Sequence, residues 1–299
     1  MKAFEEVKPN LIMTVPLVIE KIYKNIIQPL INKKGMKWAL NIPLLDTQIY
    51  NQIRKKLIDA LGGRFKEIII GGAAMNQEVE EFFYKIKFPF TIGYGMTECG
   101  PLISYAPWNE FVLGSSGKVL DIMEARIYKE NPEAETGEIQ VRGENVMVGY
   151  YKNPEATQEV FTEDGWLRTG DLGTMDSEGF VYFRGRAKRM IISSGYNVYP
   201  GQIENILDAH EYVQMSCVIG VPDPYKMQKV KAFVKLAAGV PATEDTRQAL
   251  LAYCRKNVAK YAMPYDIEFK EDMPKTLVGK VAYRQLEEEE LAKIKAQEE

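Results

Sequence analysis

Three consecutive isoleucines, Ile68-Ile69-Ile70, constrain this chain most, because Gly71-Gly72-Ala73-Ala74-Met75 follows them without a bulky residue before Met75. The stretch Glu67 to Ile70 reads as a short strand of the kind buried on both faces of a parallel sheet. A helical pattern from about Gln77 to Ile86 comes next, and then a second strand, Pro89 to Ile92, that ends in Gly93-Tyr94-Gly95-Met96-Thr97-Glu98. Strand, helix, strand, with small-residue loops after both strands, predicts an open α/β sheet that takes its ligand at the carboxyl ends of the strands.

Upstream, Leu11 to Val15 reads as another buried-type strand after a short charged lead-in, which makes Met1 an odd place for a domain to begin. Pro16 stands at a first helical position, with Val18, Ile22 and Ile26, and Ile19, Tyr23 and Ile27 alongside, as an apolar helical face. Ile49, Ile53, Leu57 and Leu61 write a second helix, stopped by Gly62-Gly63. From Gly114 the texture turns to β. Glu124 to Tyr128, Glu138 to Arg142 and Val146 to Tyr150 read as strands, and Asp176 to Gly179 as a hairpin turn between aromatic strand residues. This predicts a β subdomain beside the sheet.

The stretch Phe183 to Glu204 then packs Arg184, Arg186, Lys188 and Arg189 into six positions, followed by Met190-Ile191-Ile192, Gly195 and Pro200. In isolation it is a solvated basic turn; in context it reads as a joint between two globular pieces, residues 1–187 and 188–299. Beyond it, helices near 201–209 and 244–259 and strands near 215–221, 230–236 and 266–269 predict a compact α+β piece, closed by a charged helix over 287–299.

Composition excludes several functions. With 46% hydrophobic and 26% charged residues and a net charge of −3, the chain has the make-up of a soluble globular protein and no electrostatic case for nucleic acid. Its three cysteines form no C-x-x-C pair, which speaks against a disulfide framework or thiolate metal site and suits a reducing cytoplasm. The single histidine, His210, is expected to be structural, leaving little room for His-based nucleophilic catalysis. No run approaches the ~18 apolar residues of a membrane span. Peripheral membrane contact and oligomeric state stay open.

Four stretches carry candidate chemistry. The loops Gly71 to Met75 and Gly93 to Glu98 let a flat ring and a phosphate lie against backbone, with Tyr94 as a stacking face, Thr97 as a hydroxyl for phosphate and Glu98 as a hard oxygen ligand for Mg²⁺. Thr169-Gly170-Asp171 places a carboxylate that can accept both hydroxyls of a ribose, or simply cap a turn. Arg186 offers a planar donor fork to the same ribose or a phosphate, while Lys188 and Arg189 also suit plain solvation. In Pro274 to Lys280, Lys280 is either a cation presented to a phosphate or an exposed turn lysine.

These motifs occur in a telling order. GGAAM, YGMTE, GWLRTGD, GRAKRMIISSGYNVYP and MPKTLVGK resemble successive signatures of the adenylate-forming superfamily: acyl-CoA synthetases, luciferases and the adenylation domains of peptide synthetases. The opening VKPNLIMTVPLVIEKIY is similar, less specifically, to long-chain fatty acyl-CoA synthetases. The likeness covers nearly the whole chain, but the Thr-Ser-Gly-rich phosphate loop that normally precedes these motifs is absent. What is resembled is therefore the carboxyl-terminal part of the large AMP-binding domain (open α/β sheet plus β subdomain), followed by a small mobile α+β lid domain.

The resemblance implies that Gly72, Ala73 and Tyr94 line an adenine site, Thr97 touches phosphate, Glu98 holds Mg²⁺, and Asp171 and Arg186 bind ribose. Lys188 would be the hinge, Gly195 would lie against the pantetheine arm of coenzyme A, and Lys280 would be the adenylation lysine. Arg189, where an acidic residue is common, and Gln202, where glutamate is common, put ion pairs at the joint in question. The implied activity is ATP-dependent long-chain fatty acid–CoA ligation through an acyl-adenylate, incomplete in this chain alone. The alternatives are an acyl-AMP ligase feeding a carrier protein and a non-catalytic nucleotide-binding module.

Overall fold

The computed structural model describes residues 2–275 and 281–298. They form two compact units, one ending at Phe183 and the other starting at Arg184.

The first unit is built on the expected parallel sheet. Strands β1 (Leu11–Thr14), β2 (Glu67–Ile70) and β3 (Phe90–Ile92) lie in that order, with Ile12 beside Ile68 and Ile68 beside Phe90. The helix Gln77–Lys85 joins β2 to β3; the Asn76 side chain caps it by accepting from Val79 N at 3.3 Å. Its inner face, Val79, Phe82 and Phe83, packs with Phe88, Phe90 and Phe111 into a tilted and edge-to-face aromatic cluster. Full burial of each such ring stabilises the fold by about 1.5–3 kcal/mol. The helix Leu45–Ala60 ends where Gly62 and Gly63 adopt φ of 98° and 71°, a left-handed exit that favours glycine.

Two expectations here need correction. β1 is not a fully buried strand: Ile12 is buried, but Met13 is 76% exposed and Leu11 and Val15 are exposed as well. Successive side chains of a strand point to opposite faces, and only the face that carries Ile12 meets the core. In the helical stretch from Pro16, Ile19, Tyr23 and Ile27 point into the core while Val18 and Ile26 stay exposed. Residues four apart share a helical face, and a π-helical turn at Tyr23–Ile27 keeps Tyr23 and Ile27 on the inner one.

The β subdomain forms two antiparallel sheets. One contains β4 (Tyr94–Gly95), β5 (Leu102–Tyr105) and β6 (Lys118–Val119); the other runs β10-β9-β8-β7, with β7 Met123–Tyr128, β8 Gly137–Gly143, β9 Leu167–Met175 and β10 Val181–Arg186. The Asp176 turn forms as expected, its carboxylate accepting from Glu178 N at 3.0 Å and Phe180 N at 2.9 Å. Val146 to Tyr150, however, is not a strand. Its backbone bonds go elsewhere: Met147 N donates to Glu98 O at 2.7 Å and Tyr150 N to Thr157 Oγ1 at 2.9 Å.

The second unit is one five-stranded sheet, β12-β11-β14-β13 with β15 parallel to β14: β11 Ile191–Ser193, β12 Tyr196–Val198, β13 Val213–Asp223, β14 Met227–Leu236 and β15 Asp266–Phe269. The period-two alternation of its central strands feeds two cores. Val218, Val230, Ala232 and Val234 pack with the helices Pro200–Asp208 and Glu244–Asn257. Cys217, Ile219, Val221 and Phe233 pack with Leu286 of the helix Tyr283–Glu298. Buried Lys231 ties that last helix down, reaching Glu290 at 2.6 Å and Glu268 at 2.8 Å.

The joint does keep an ion pair. Arg189 meets Glu204 at 2.6 Å, and the same carboxylate accepts from Val218 N at 2.8 Å. The acid comes from the helix Pro200–Asp208, two residues beyond Gln202, which is why the departures at 189 and 202 did not remove the pairing. His210 is structural in its contacts: Nδ1 accepts from Tyr212 N at 3.1 Å, the ring lies edge-on to Tyr212 and Tyr253, and burial pushes its pKa down. The three cysteines are free and buried. No helix among the described residues is long and apolar enough to cross a membrane.

Candidate nucleotide site

At the carboxyl edge of the parallel sheet the loops leave side by side. Gly71 N donates to Thr14 O at 3.0 Å and Gly93 N to Ile70 O at 2.9 Å, so the GGAAM and GYGMTE loops start as neighbours. Gly72 and Ala73 are exposed, Gly72 with φ +83°, and buried Met75 anchors the far end of their loop. Asn76 N donates to Glu20 Oε1 at 2.9 Å, which ties this loop to the helix after β1.

Gly95 has no alternative at its position. A Cβ there would stand 1.9 Å from Pro101 O and 2.9 Å from Leu102 Cα, because β4 and β5 pass too close for any side chain.

The next residue back, Tyr94, is only 9% exposed, and its hydroxyl donates to Asp171 Oδ2 at 2.9 Å. Burial, and then the Asp171 charge, push its phenol well above the usual range, so Tyr94 stays a proton donor. Asp171 itself is 4% exposed. It sits where β9 bulges against β8, with Glu138 opposite Leu172 and Gln140 opposite Arg168, so that Thr169, Gly170 and Asp171 bow out of the ladder. Thr169 Oγ1 holds the bow by donating to Ile139 O at 2.6 Å and accepting from Asp171 N at 3.1 Å. A bulge re-aims a side chain, and this one aims Asp171 at Tyr94, a residue 77 positions away in sequence.

Thr97 is exposed and opens a short 3₁₀ turn, Thr97–Cys99, which puts Glu98 half-buried beside it. The stretch from Asn145 to Tyr150 holds this turn. Asn145 Nδ2 donates to Cys99 O at 2.6 Å and Leu102 O at 2.9 Å, and Tyr150 OH donates to Glu98 Oε1 at 2.9 Å. Burial and the Glu98 hydrogen bond raise the Tyr150 pKa, which keeps that donor protonated. Asn145 and Tyr150 were not among the expected site residues, because the apparent strand Val146 to Tyr150 gave no signal of a loop packed against Glu98. Among the described residues no three metal-ligating side chains cluster.

In the second unit Arg186 ends β10 and Lys188 lies in the 3₁₀ turn Ala187–Arg189; both are exposed. Gly195 is at the turn between β11 and β12, with φ +83° and open space where a Cβ would be. Lys280 lies outside the described residues. Lys275 and Val281, which flank it, pair antiparallel.

A parallel sheet with two glycine-rich loops at its carboxyl edge is the arrangement by which α/β proteins take up nucleotides. Residues 1–151 match the family model of the AMP-binding enzyme, and residues 202–280 that of the AMP-binding enzyme C-terminal domain. The chain belongs to the AMP-binding, adenylate-forming enzyme family.

Similar proteins include the long-chain-fatty-acid–CoA ligase of Salmonella typhimurium, 34% identical over 95% of this chain and 50% of its own length. Another is the enzyme of that name from Bacillus subtilis, 42% identical over 75% of this chain and 41% of its own. Among solved structures, o-succinylbenzoate CoA synthetase from Bacillus subtilis in complex with its acyl-adenylate intermediate is 27% identical with a TM-score of 0.74, covering 95% of this chain and 52% of that one. ATP-bound MatB from Rhodopseudomonas palustris is 28% identical with a TM-score of 0.72, covering 94% and 51%. The chain thus spans about half the length of the curated relatives it matches. Its mixed α/β architecture is the carboxyl-terminal part of the adenylate-forming fold.

Proposed function

We propose that this chain serves an ATP-dependent acyl-CoA ligase whose carboxylate substrate is a long-chain fatty acid. In the first step a carboxylate oxygen attacks the α-phosphorus of ATP and the bond to pyrophosphate breaks, leaving acyl-adenylate. In the second the thiol of coenzyme A attacks the acyl carbon, gives up its proton, and AMP departs. The observation that carries the reading is the buried Tyr94–Asp171 bond beside the two glycine-rich loops. A carboxylate held in place by a protonated phenol keeps acceptor capacity for two vicinal ribose hydroxyls, with Gly72 and Ala73 alongside for the adenine.

The remaining roles follow from chemistry and position. Thr97 offers its hydroxyl to phosphate. Glu98 suits Mg²⁺, which binds through one or two carboxylates and keeps phosphate and water for the rest of its shell; bound there, the ion would neutralise the leaving pyrophosphate. Lys280 would supply the cation at the α-phosphate, where negative charge gathers in the first transition state. Arg186 would complete the ribose contacts, and Lys188 would be the hinge between a large domain, residues 1–187, and a mobile one, 188–299. Gly195, without a side chain, leaves passage for the pantetheine arm. A carboxylate nucleophile needs no general base, in keeping with a chain whose one histidine is engaged elsewhere. Lacking a Thr-Ser-Gly-rich loop, the chain alone should release little pyrophosphate from ATP and palmitate.

Calorimetric titration with AMP and 2′-deoxy-AMP tests the site. Asp171→Ala should weaken AMP by more than tenfold and abolish discrimination between the two ligands, since a hydrogen bond to a charged group contributes about 1.5–3 kcal/mol. Tyr94→Phe should weaken AMP severalfold. An Asp171→Ala chain that binds AMP as tightly as the parent would refute the assignment.

A further inference from the structure

The loop from Gly71 to Asn76 is tied at both ends to one strand-helix unit. At its start Gly71 N donates at 3.0 Å to the carbonyl of Thr14, the last residue of β1. At its far end Asn76 N donates to Glu20 Oε1 at 2.9 Å, and Glu20 lies in the helix Pro16–Ile22 that follows β1. One turn further on, Tyr23 OH donates at 2.8 Å to Oε1 of Glu78, in the first turn of the next helix. Residues three apart share a helical face, so Glu20 and Tyr23 meet the loop end and the helix after it as two rungs. Between the tied ends Gly72, Ala73 and Ala74 are exposed.

The rungs are firmly seated. Tyr23 is 3% exposed, and its ring centroid lies 5.1 Å from that of Phe82. Burial, and then the Glu78 hydrogen bond, push its phenol up, so this donor stays protonated. Glu20 is half-buried; burial raises its pKa, against the opposite pull of Asn76 N and of Lys24 one turn along. The Asn76 side chain also caps the helix Gln77–Lys85, so its backbone cannot turn without breaking one bond or the other.

We propose that Glu20 is a positioning residue for the nucleotide: by fixing Asn76 it holds the Gly72-Ala73 backbone in the shape that receives the base, with Tyr23 as the second rung. This rests on the reading of Gly72 and Ala73 as lying against the adenine. A loop of small residues has few side-chain contacts with which to hold one conformation, and glycine loses more backbone freedom on ordering than any other residue. With the clamp closed that ordering takes place when the chain folds, and the nucleotide meets a loop already in shape.

Calorimetry on the full chain with AMP and 2′-deoxy-AMP, together with amide hydrogen exchange, tests the clamp. Glu20→Ala should weaken AMP by about tenfold, the lower end of what loss of one hydrogen bond to a charged group costs. Glu20→Asp keeps the charge but withdraws the acceptor by one methylene, and should fall nearly as far. Glu20→Gln keeps an acceptor at the same reach and should return to within about threefold of the parent. Tyr23→Phe should lose severalfold. The preference for AMP over 2′-deoxy-AMP, which belongs to Asp171, should stay at the parent value throughout. Without ligand, the Asn76 amide should exchange faster in Glu20→Ala while the β3 amides keep their rates.

Parent-like AMP affinity in Glu20→Ala, with Asp171→Ala still weakened, overturns the clamp and leaves the nucleotide site intact. Parent-like binding by Glu20→Asp overturns it too, since charge and not reach would then be what matters. A loss in Glu20→Gln as large as in Glu20→Ala, or faster exchange spread over β1 to β3, would mark a general loosening of the unit and also overturns it. Where Glu20→Ala does not fold, the contrast between Glu20→Asp and Glu20→Gln decides. A parent that does not bind AMP removes the reading of the site and the clamp with it.

Discussion

Glu80 ought to make the first unit less stable above neutral pH. It lies on the helix Gln77–Lys85, is 7% exposed, and its Oε1 accepts from Gly114 N at 2.6 Å. Burial, only partly offset by that hydrogen bond and reinforced by the neighbouring Glu81 charge, raises its pKa from 4.5 to about 7. The folded state therefore keeps a proton over a pH range in which the unfolded chain has lost it. The stabilisation is complete below the unfolded value and disappears as pH rises through about 7. At roughly 1.4 kcal/mol per unit the displacement corresponds to about 3 kcal/mol.

Glu80→Gln removes the titration but keeps an oxygen to accept from Gly114 N. The variant should match the parent at pH 5 within about 1 kcal/mol and exceed it by about 2–3 kcal/mol at pH 8.5. Urea denaturation followed by tryptophan fluorescence measures this in the right place, since Trp38, Trp108 and Trp166 all belong to the first unit. A variant-minus-parent difference that stays constant between the two pH values would show that Glu80 is ionised in the fold and that the argument is wrong.

Two further outcomes concern the joint and the loops. Arg189→Ala leaves the half-buried Glu204 carboxylate with Val218 N but without its cation, and should cost the second unit about 2–3 kcal/mol, read by faster hydrogen exchange at β13 amides. Unchanged exchange there would mean the pair contributes nothing. Gly95→Ala forces β4 away from Pro101, so AMP affinity should fall by more than tenfold even where denaturation shows a loss of only about 1–3 kcal/mol; parent-like AMP binding would separate this loop from the nucleotide.

What the sequence determined by itself is local. Three isoleucines before two glycines force β2 and its open carboxyl end, the apolar spacing of Val79, Phe82 and Phe83 makes a helix between β2 and β3, and the largely apolar run over residues 215–221 makes a strand with two buried faces. Periodicity writes these because it depends only on the geometry of one element. The order of the glycine-rich motifs likewise pointed to the family before any contact was known.

Partnership is another matter, since it depends on which distant backbone comes alongside. That Met13 faces outward follows from which face of β1 the core covers, the face of Ile12, and not from the residue itself. Arg189 finds Glu204 because the helix Pro200–Asp208 packs on β13, and Tyr150 reaches Glu98 because the stretch from Asn145 to Tyr150 runs beside the Thr97–Cys99 turn, with Met147 N donating to Glu98 O. Asp171 was legible as a carboxylate for a ribose or a turn cap, but its bond to Tyr94 required a bulge in β9, set by the register of two strands, to aim it at β4 of the neighbouring sheet. Motif residues are chosen by chemistry that the sequence displays; their distances are fixed by strand register and loop closure, which exist only once the chain has packed.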